Sequence, residues 1–223
     1  MAISGSDVQQ LGLRERKKQK TRELIAESAR RLFADRGFER VSVAEIARVA
    51  DVSEQTVFNY FPSKEDLVFW RLGDFEDELL GAIRERPPGE SALAAFRRFL
   101  LAQRGLLGQI DPNARDRLVG IARTITESPA LRAREHQIFA RYTASLAELL
   151  AREQDAAPGD LRPRVAAHAM IGVHQALVAH TRQRVIDGVP SPRLAREVRA
   201  EAERALALLE EGFGNYAIAP ARA

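Results

Sequence analysis

The chain has 223 residues, enough for one large domain or two small ones with a buried core, and its 45% hydrophobic and 29% charged residues are an ordinary soluble mixture. It has no cysteine, which excludes disulfide frameworks, thiolate zinc sites, iron–sulfur clusters and cysteine nucleophiles. No apolar run nears the ~18–20 residues that span a bilayer, and the first residues lack the apolar stretch of a secretory signal, so the expected compartment is the cytoplasm.

The formal net charge of +3 is unevenly placed: residues 1–64 hold 12 basic and 9 acidic side chains, whereas 65–223 hold 22 of each. All four lysines (Lys17, Lys18, Lys20, Lys64) lie in the first part. Between Arg14 and Arg22, six basic residues face one acid, Glu15. A basic arm on a neutral body suits a polyanion partner, and equally a solvated leader.

In chain order, residues 1–13 lack periodicity and read as a disordered leader. From about Arg16 to Arg36, Ile25, Ala29, Leu32 and Phe33 mark one helical face, which Gly37 terminates. Ser42-Val-Ala-Glu45 reads as a capping box opening a helix with Val43, Ile46, Ala47 and Ala50 on one face. Asp51-Val-Ser53 is a turn, and Ser53 caps a third helix, roughly Glu54–Phe61, that Pro62 breaks. A long helix then runs from Ser63 to about Arg84. Past the Arg86-Pro-Pro-Gly89 turn, Ser91 opens a helix carrying Phe96, Phe99, Leu100 and Leu107. Further helices cover Ala114–Thr126, a stretch capped by Ser128-Pro129, Asp160 to about Ile186, and Arg193 to Glu211. The residues after Tyr216 read as a frayed tail. The fold class is all-α, with nine helices and no convincing strand.

A helix, a three-residue turn and a second helix make the helix-turn-helix plan, though any αα-corner shares it. The basic arm and Lys64 bracket the unit. Ser53, Gln55, Thr56 and Asn59 are side chains that donate and accept toward phosphates and base edges. Val52, Val57 and Phe61 are left to pack inward.

The stretch from Arg16 to Leu67 resembles the N-terminal domain of TetR/AcrR-type transcriptional regulators. The resemblance is carried by Thr21-Arg22, Leu32-Phe33, Gly37-Phe38, Ser42-Val-Ala-Glu-Ile-Ala47, Val52-Ser53 and Thr56-Val-Phe-Asn-Tyr-Phe61 with Lys64. It implies an all-helical homodimer, with three helices on double-stranded operator DNA and the others forming a ligand-binding and dimerisation body. By position it implies phosphate contacts from Ser42, Ser53, Thr56, Tyr60 and Lys64, and a major-groove face made by Gln55, Thr56 and Asn59. Arg22 and Phe58 complete this DNA-binding set. Two positions depart from the family pattern: Phe58 lacks the hydroxyl of a frequent tyrosine, and Gln55 replaces a frequent glycine with an amide that could pair with adenine or stay solvated. Glu54 could accept from a cytosine N4 or favour its own helix N-terminus, of which the second is preferred.

The resulting division is a leader over 1–13, a DNA-binding domain over 14–62, a ligand-binding and dimerisation domain over 63–215 and a tail over 216–223. The helix starting at Ser63 joins the two domains and would transmit tilt between them. In the body, Phe96, Leu100, Gln103, Ile121, Ile125, Phe139, Tyr142, His174 and Leu177 are candidates to line a cavity between helices, with ordinary core packing the alternative for the apolar ones. His136, on a face with Phe139 and Thr143, reads as a structural histidine. His168, His174 and His180 are six residues apart, about 240° per step around a helix, so a shared metal site is not expected, and no cofactor is. The part after Pro129 vaguely resembles regulators proposed to sense acyl-CoA-like ligands. Leu194, Val198, Ala202, Ala205 and Leu209 form a seam that, with small residues Ala169, Gly172 and Ala176, suggests a dimer interface through the last two helices.

The expected protein is a ligand-responsive repressor of a pseudo-palindromic operator, not an enzyme and not membrane-bound. The alternatives are a DNA-binding regulator without small-molecule input and an all-helical enzyme. The effector, the operator and the regulated genes cannot be read from the residues.

Overall fold

Ten helices account for most of the computed structural model, which describes residues 13–70, 72–102 and 115–212; no strand occurs among the described residues. The leader (except Leu13), the tail, Leu107 and Gln103 lie outside them. Contacts between backbone segments divide the chain into two compact units, one of 13–70 with 124–131, the other of the remaining described residues.

The first unit begins with α1 (Leu13–Arg36), α2 (Val43–Val49), α3 (Glu54–Tyr60) and α4 (Asp66–Phe69). The basic stretch is helical: Arg16, Lys17, Lys18 and Lys20 stand exposed on the first turns of α1. Ile25, Ala29 and Phe33 are buried along one face further down the helix. Gly37 ends α1 at φ +79°, its N–H donating to Phe33 O at 2.9 Å, a left-handed conformation that costs glycine no Cβ clash. The ring of Phe38 then folds back on Phe33, centroids 5.1 Å apart. Ile46, Ala47, Ala50, Val57 and Phe61 close the core. Each large apolar side chain buried there contributes about 1.5–3 kcal/mol.

The single long helix expected from Ser63 to Arg84 is instead two, α4 and α5 (Leu72–Arg84). Leu67 and Phe69 are both buried, although residues two apart project from a helix about 200° from each other. The short α4 is thus gripped on two sides inside the first unit. Ser63, three residues ahead, and Asp66, its first residue, bond reciprocally at its start: Ser63 N–H donates to the Asp66 carboxylate at 3.0 Å, and Asp66 N–H to Ser63 Oγ at 3.3 Å.

The second unit holds α5, α6 (Ala92–Ala102), most of α7 (Arg115–Glu127) and α8 (Pro129–Glu153), and all of α9 (Arg162–Ile186) and α10 (Ser191–Glu211). Its core gathers Phe75, Leu79 and Ile83 of α5, Phe96, Phe99 and Leu100 of α6, Phe139, Tyr142 and Leu146 of α8, and Ile171, His174 and Leu177 of α9. Arg86–Glu153 (2.7 Å) and Arg141–Glu76 (2.7 Å) tie α8 to the segments around α5.

The seam on the last helix faces a different way from that expected. Leu194, Val198 and Ala202, with Leu206, are buried within the single chain, where α10 packs on α9. Ala205 and Leu209 are half-buried. After the short turn at 187–190, α10 folds back on its predecessor and spends this stripe inside its own subunit. Any dimer through these helices must use their other faces.

Candidate nucleic-acid interface

Two caps set the angle of the helix-turn-helix. At α2, Ser42 Oγ accepts from Glu45 N–H at 3.2 Å while the Glu45 carboxylate accepts from Ser42 N–H at 2.9 Å and from Arg36 at 2.6 Å. The Ser42 N–H and then the Arg36 guanidinium pull the Glu45 carboxyl down to about 2, so the box is ionised and closed at neutral pH. At α3, Ser53 Oγ accepts from Thr56 N–H at 3.0 Å and lies 2.8 Å from the Thr56 hydroxyl. Between the helices, Asp51 adopts φ +53°, a left-handed turn that Asp tolerates better than most residues. Val52 N–H donates to Ala47 O at 2.9 Å and closes the corner.

With Val57 buried, the outer face of α3 is left to Ser53, Glu54, Gln55, Phe58 and Asn59, all exposed, with Thr56 and Tyr60 half-buried beside them. Gln55 Nε2 donates to Asn59 Oδ1 at 3.1 Å, one turn apart. That bond places both amides on one side of the helix and uses the Gln55 amide nitrogen and the Asn59 carbonyl oxygen, which leaves the Gln55 carbonyl oxygen as an acceptor and the Asn59 amide nitrogen as a donor for other partners. The seven-residue helix thus exposes paired amides and a cap of hydroxyls, and carries no lysine or arginine.

The cations stand around it. The Lys64 ammonium lies 4.2 Å from the centroid of Phe38, half-buried at the start of the α4 turn. Arg22 is also half-buried, its guanidinium over the rings of Phe61 (5.7 Å) and Trp70 (5.9 Å). Arg22 therefore braces α1 against the ends of α3 and α4, a packing role that its place in a basic stretch did not reveal.

Residues 25–69 match the family described as bacterial regulatory proteins, tetR family, and residues 90–214 match the MftR C-terminal domain. The chain belongs to the TetR family. It is a DNA-binding transcriptional regulator of that family, and residues 42–61 are its helix-turn-helix. TcmR of Streptomyces glaucescens, an HTH-type transcriptional regulator, is 30% identical over 69% of this chain and 69% of its own. MftR of Mycobacterium tuberculosis, whose name ties it to mycofactocin biosynthesis, is 29% identical over 74% of this chain and 81% of its own. Among solved structures, the transcriptional regulator FadR of Bacillus subtilis, in complex with stearoyl-CoA, superposes with a TM-score of 0.51 at 20% identity. It covers 84% of this chain and 96% of its own, a likeness of fold.

The second unit of this TetR family chain brings together part of the expected cavity lining. His174 stacks on Phe75 with centroids 4.3 Å apart and planes 11° from parallel; Phe139 meets it edge-on at 5.6 Å. Phe75 also lies against Tyr142 (5.6 Å) and Phe99 (5.3 Å). Phe96, Leu100 and Leu177 are buried in the same unit. Ile125 is not among them: it is buried in the first unit, with residues 124–131. Ile121 is half-buried. Nothing in the local sequence singles out Phe75, whose helix reads as the tail of a connector, and Phe99 reads as plain core. His136, expected as a structural histidine, is exposed. His168 is exposed, His174 buried and His180 half-buried, so the three leave their helix on different sides. No helix among the described residues is long and apolar enough to cross a membrane.

Proposed function

We propose that this TetR family regulator is a repressor that binds a pseudo-palindromic operator as a homodimer and is released when a small molecule occupies the second unit. The observation that carries the reading is the outer face of α3, where Gln55 and Asn59 are held as an ordered amide pair. An amide that presents an acceptor beside a donor matches the N6 and N7 edge of adenine. Phe58, 45% exposed, offers an apolar surface to a thymine methyl. Ser53 and Thr56 on that face, with Ser42, Tyr60 and Lys64 near it, supply the positioning, salt-dependent contacts, while Arg22 packs on Phe61 and Trp70.

The dimer surface is the outer face of α9. From its N-cap onward, Leu161, Val165, His168, Gly172, Ala176, Ala179 and Gln183 are exposed at intervals of three and four residues. This stripe is about 33 Å long and contains one histidine and no Lys, Arg, Asp or Glu. A Cβ placed on Gly172 meets nothing within 4 Å, so a second helix can approach closely. Beside it, Arg184, Arg196, Arg204, Glu197 and Glu201 line a groove of about 490 Å³. A patch carrying both signs can meet its own copy across a two-fold axis. Release follows only from an effector that binds the DNA-incompetent form better than the competent one.

The test is selection from a random duplex pool with the purified protein. An enriched inverted repeat, with half-sites about 34–36 Å apart, is the expected outcome. Failure to enrich any motif, with retention vanishing at moderate salt, would overturn the reading.

A further inference from the structure

We infer that Glu54 is a specificity-determining residue that selects cytosine, and that with Phe58 it forms a pyrimidine-reading stripe beside the amide pair of Gln55 and Asn59. This rests on the reading of α3 as the helix that enters the major groove. The first observation is an unanswered carboxylate. Glu54 stands exposed at the start of α3, where Ser53 Oγ already caps the helix by accepting from Thr56 N–H at 3.0 Å. Among the described residues, no N–H, hydroxyl or cation partners the Glu54 side chain. A solvated helix commonly answers a glutamate with Lys or Arg three or four residues on. Here those positions hold Val57, which is buried, and Phe58, an apolar ring left exposed. The neighbouring amides are occupied with each other, Gln55 Nε2 donating to Asn59 Oδ1.

The second observation is arrangement. Glu54 and Phe58 are one helical turn apart, as are Gln55 and Asn59, and all four are exposed. The outer face of α3 therefore carries two parallel stripes, about 100° apart around the helix. One offers a pure acceptor and an apolar ring, the other an acceptor and a donor. Base edges divide in the same way. An ionised carboxylate accepts and cannot donate. In the major groove cytosine presents its N4 amino donor, guanine two acceptors, thymine an acceptor with its methyl group, and adenine a donor beside an acceptor. A carboxylate pressed against an acceptor in a dehydrated groove is left without a bond, so Glu54 selects cytosine by rejecting the other bases as well as by the bond it makes. Phe58, one turn on, meets a thymine methyl. The phosphates repel Glu54 on every sequence, and only the bond from N4 offsets that repulsion.

The experiment uses the full-length chain and two variants, Glu54→Ala and Glu54→Gln. Each selects from a random duplex pool, and affinities are then measured on the selected operator and on duplexes changed at one base pair. The wild-type protein is expected to require a C·G pair at one position of each half-site, any other pair there weakening binding by about 5- to 150-fold. Glu54→Ala should bind all four pairs at that position nearly alike, weaker than wild type on cytosine and tighter on the other three. Glu54→Gln, whose amide both donates and accepts, should move the preference toward adenine. Preferences elsewhere in the half-site should persist in both variants. A glutamate that serves only the helix N-terminus predicts a different result: both variants bind every duplex more tightly by one common factor, with base preference unchanged. That result would overturn the proposal. An enriched motif in which no position responds to Glu54 would overturn it too, yet leave sequence-specific DNA binding standing. No motif from the wild-type protein would overturn the reading of α3 itself, and this proposal with it.

Discussion

Ser128 and Glu39 stand 89 residues apart in the chain and are joined by a hydrogen bond of 2.6 Å, in which the serine hydroxyl donates to the carboxylate. The same hydroxyl accepts from Leu131 N–H at 3.3 Å, capping α8 above Pro129. One buried side chain thus fixes both a helix N-terminus and the turn between α1 and α2. Ser128→Ala is expected to cost about 1–2 kcal/mol, the sum of a lost cap and a lost charge-assisted bond. Glu39→Ala leaves the cap in place and should cost about 1 kcal/mol or less. Urea midpoints of the two single variants and the double variant check this. The double variant should lose less than the two single losses added together, because both remove the same bond.

Asp51 holds its φ of +53° at the exposed corner of the helix-turn-helix. Asp51→Gly should be neutral or stabilise by up to about 1 kcal/mol, since glycine enters this region without Cβ strain. Asp51→Val should destabilise by about 1–2 kcal/mol or more. Thermal melts of the two variants separate the conformational effect from loss of the carboxylate, which both share.

Gln55→Ala and Tyr60→Phe should fail differently on DNA. Gln55→Ala removes one half of the amide pair with Asn59 and should relax preference at one base pair by about 1–3 kcal/mol. Tyr60→Phe should weaken all duplexes by a similar factor, as loss of a phosphate contact does. Binding to a set of single-base operator variants distinguishes them. An equal loss on every sequence for Gln55→Ala would remove it from the base-reading face.

Acid should act on the second unit through His174. Its folded pKa is depressed by burial to about 4, so the unfolded chain, near 6.5, takes up the proton first as pH falls. The unfolded state binds more protons between those values, and stability falls as pH drops from about 6.5 to about 4, by roughly 3 kcal/mol over that window. Above 6.5 the group contributes no slope. Urea titrations at a series of pH values should show that decline in the wild-type protein, and a shallower one in His174→Phe.

Ala176→Arg places a charge in the middle of the uncharged stripe on α9, where the single chain leaves the residue exposed. The subunit should keep its helical content and melt as before within about 0.5 kcal/mol as a monomer. Sedimentation should show the dimer lost, and operator affinity should fall with it.

Much of the first unit could be read from local sequence because its signals act over one helical turn. Ser42 with Glu45, Ser53 with Thr56, and Gly37 after Phe33 each bond a backbone group within four residues, and a pattern of that range is visible in a linear text. The same holds for the burial of Ile25, Ala29 and Phe33 at helical spacing. What the tertiary structure decided was the direction in which ambiguous stripes face. Leu194, Val198 and Ala202 have the periodicity of an interface, and periodicity is the same whether the partner helix belongs to another subunit or to the same one. Only the return of α10 onto α9 spends them inside the chain and leaves Gly172 and Ala176 outside. Likewise, residue type could not tell that His174 would lie between Phe75 and Phe139 with both nitrogens unmade, or that Ser128 would reach Glu39. Those pairings join segments from 35 to 99 residues apart, and a contact of that range is fixed by the packing of whole helices rather than by any pattern in the sequence.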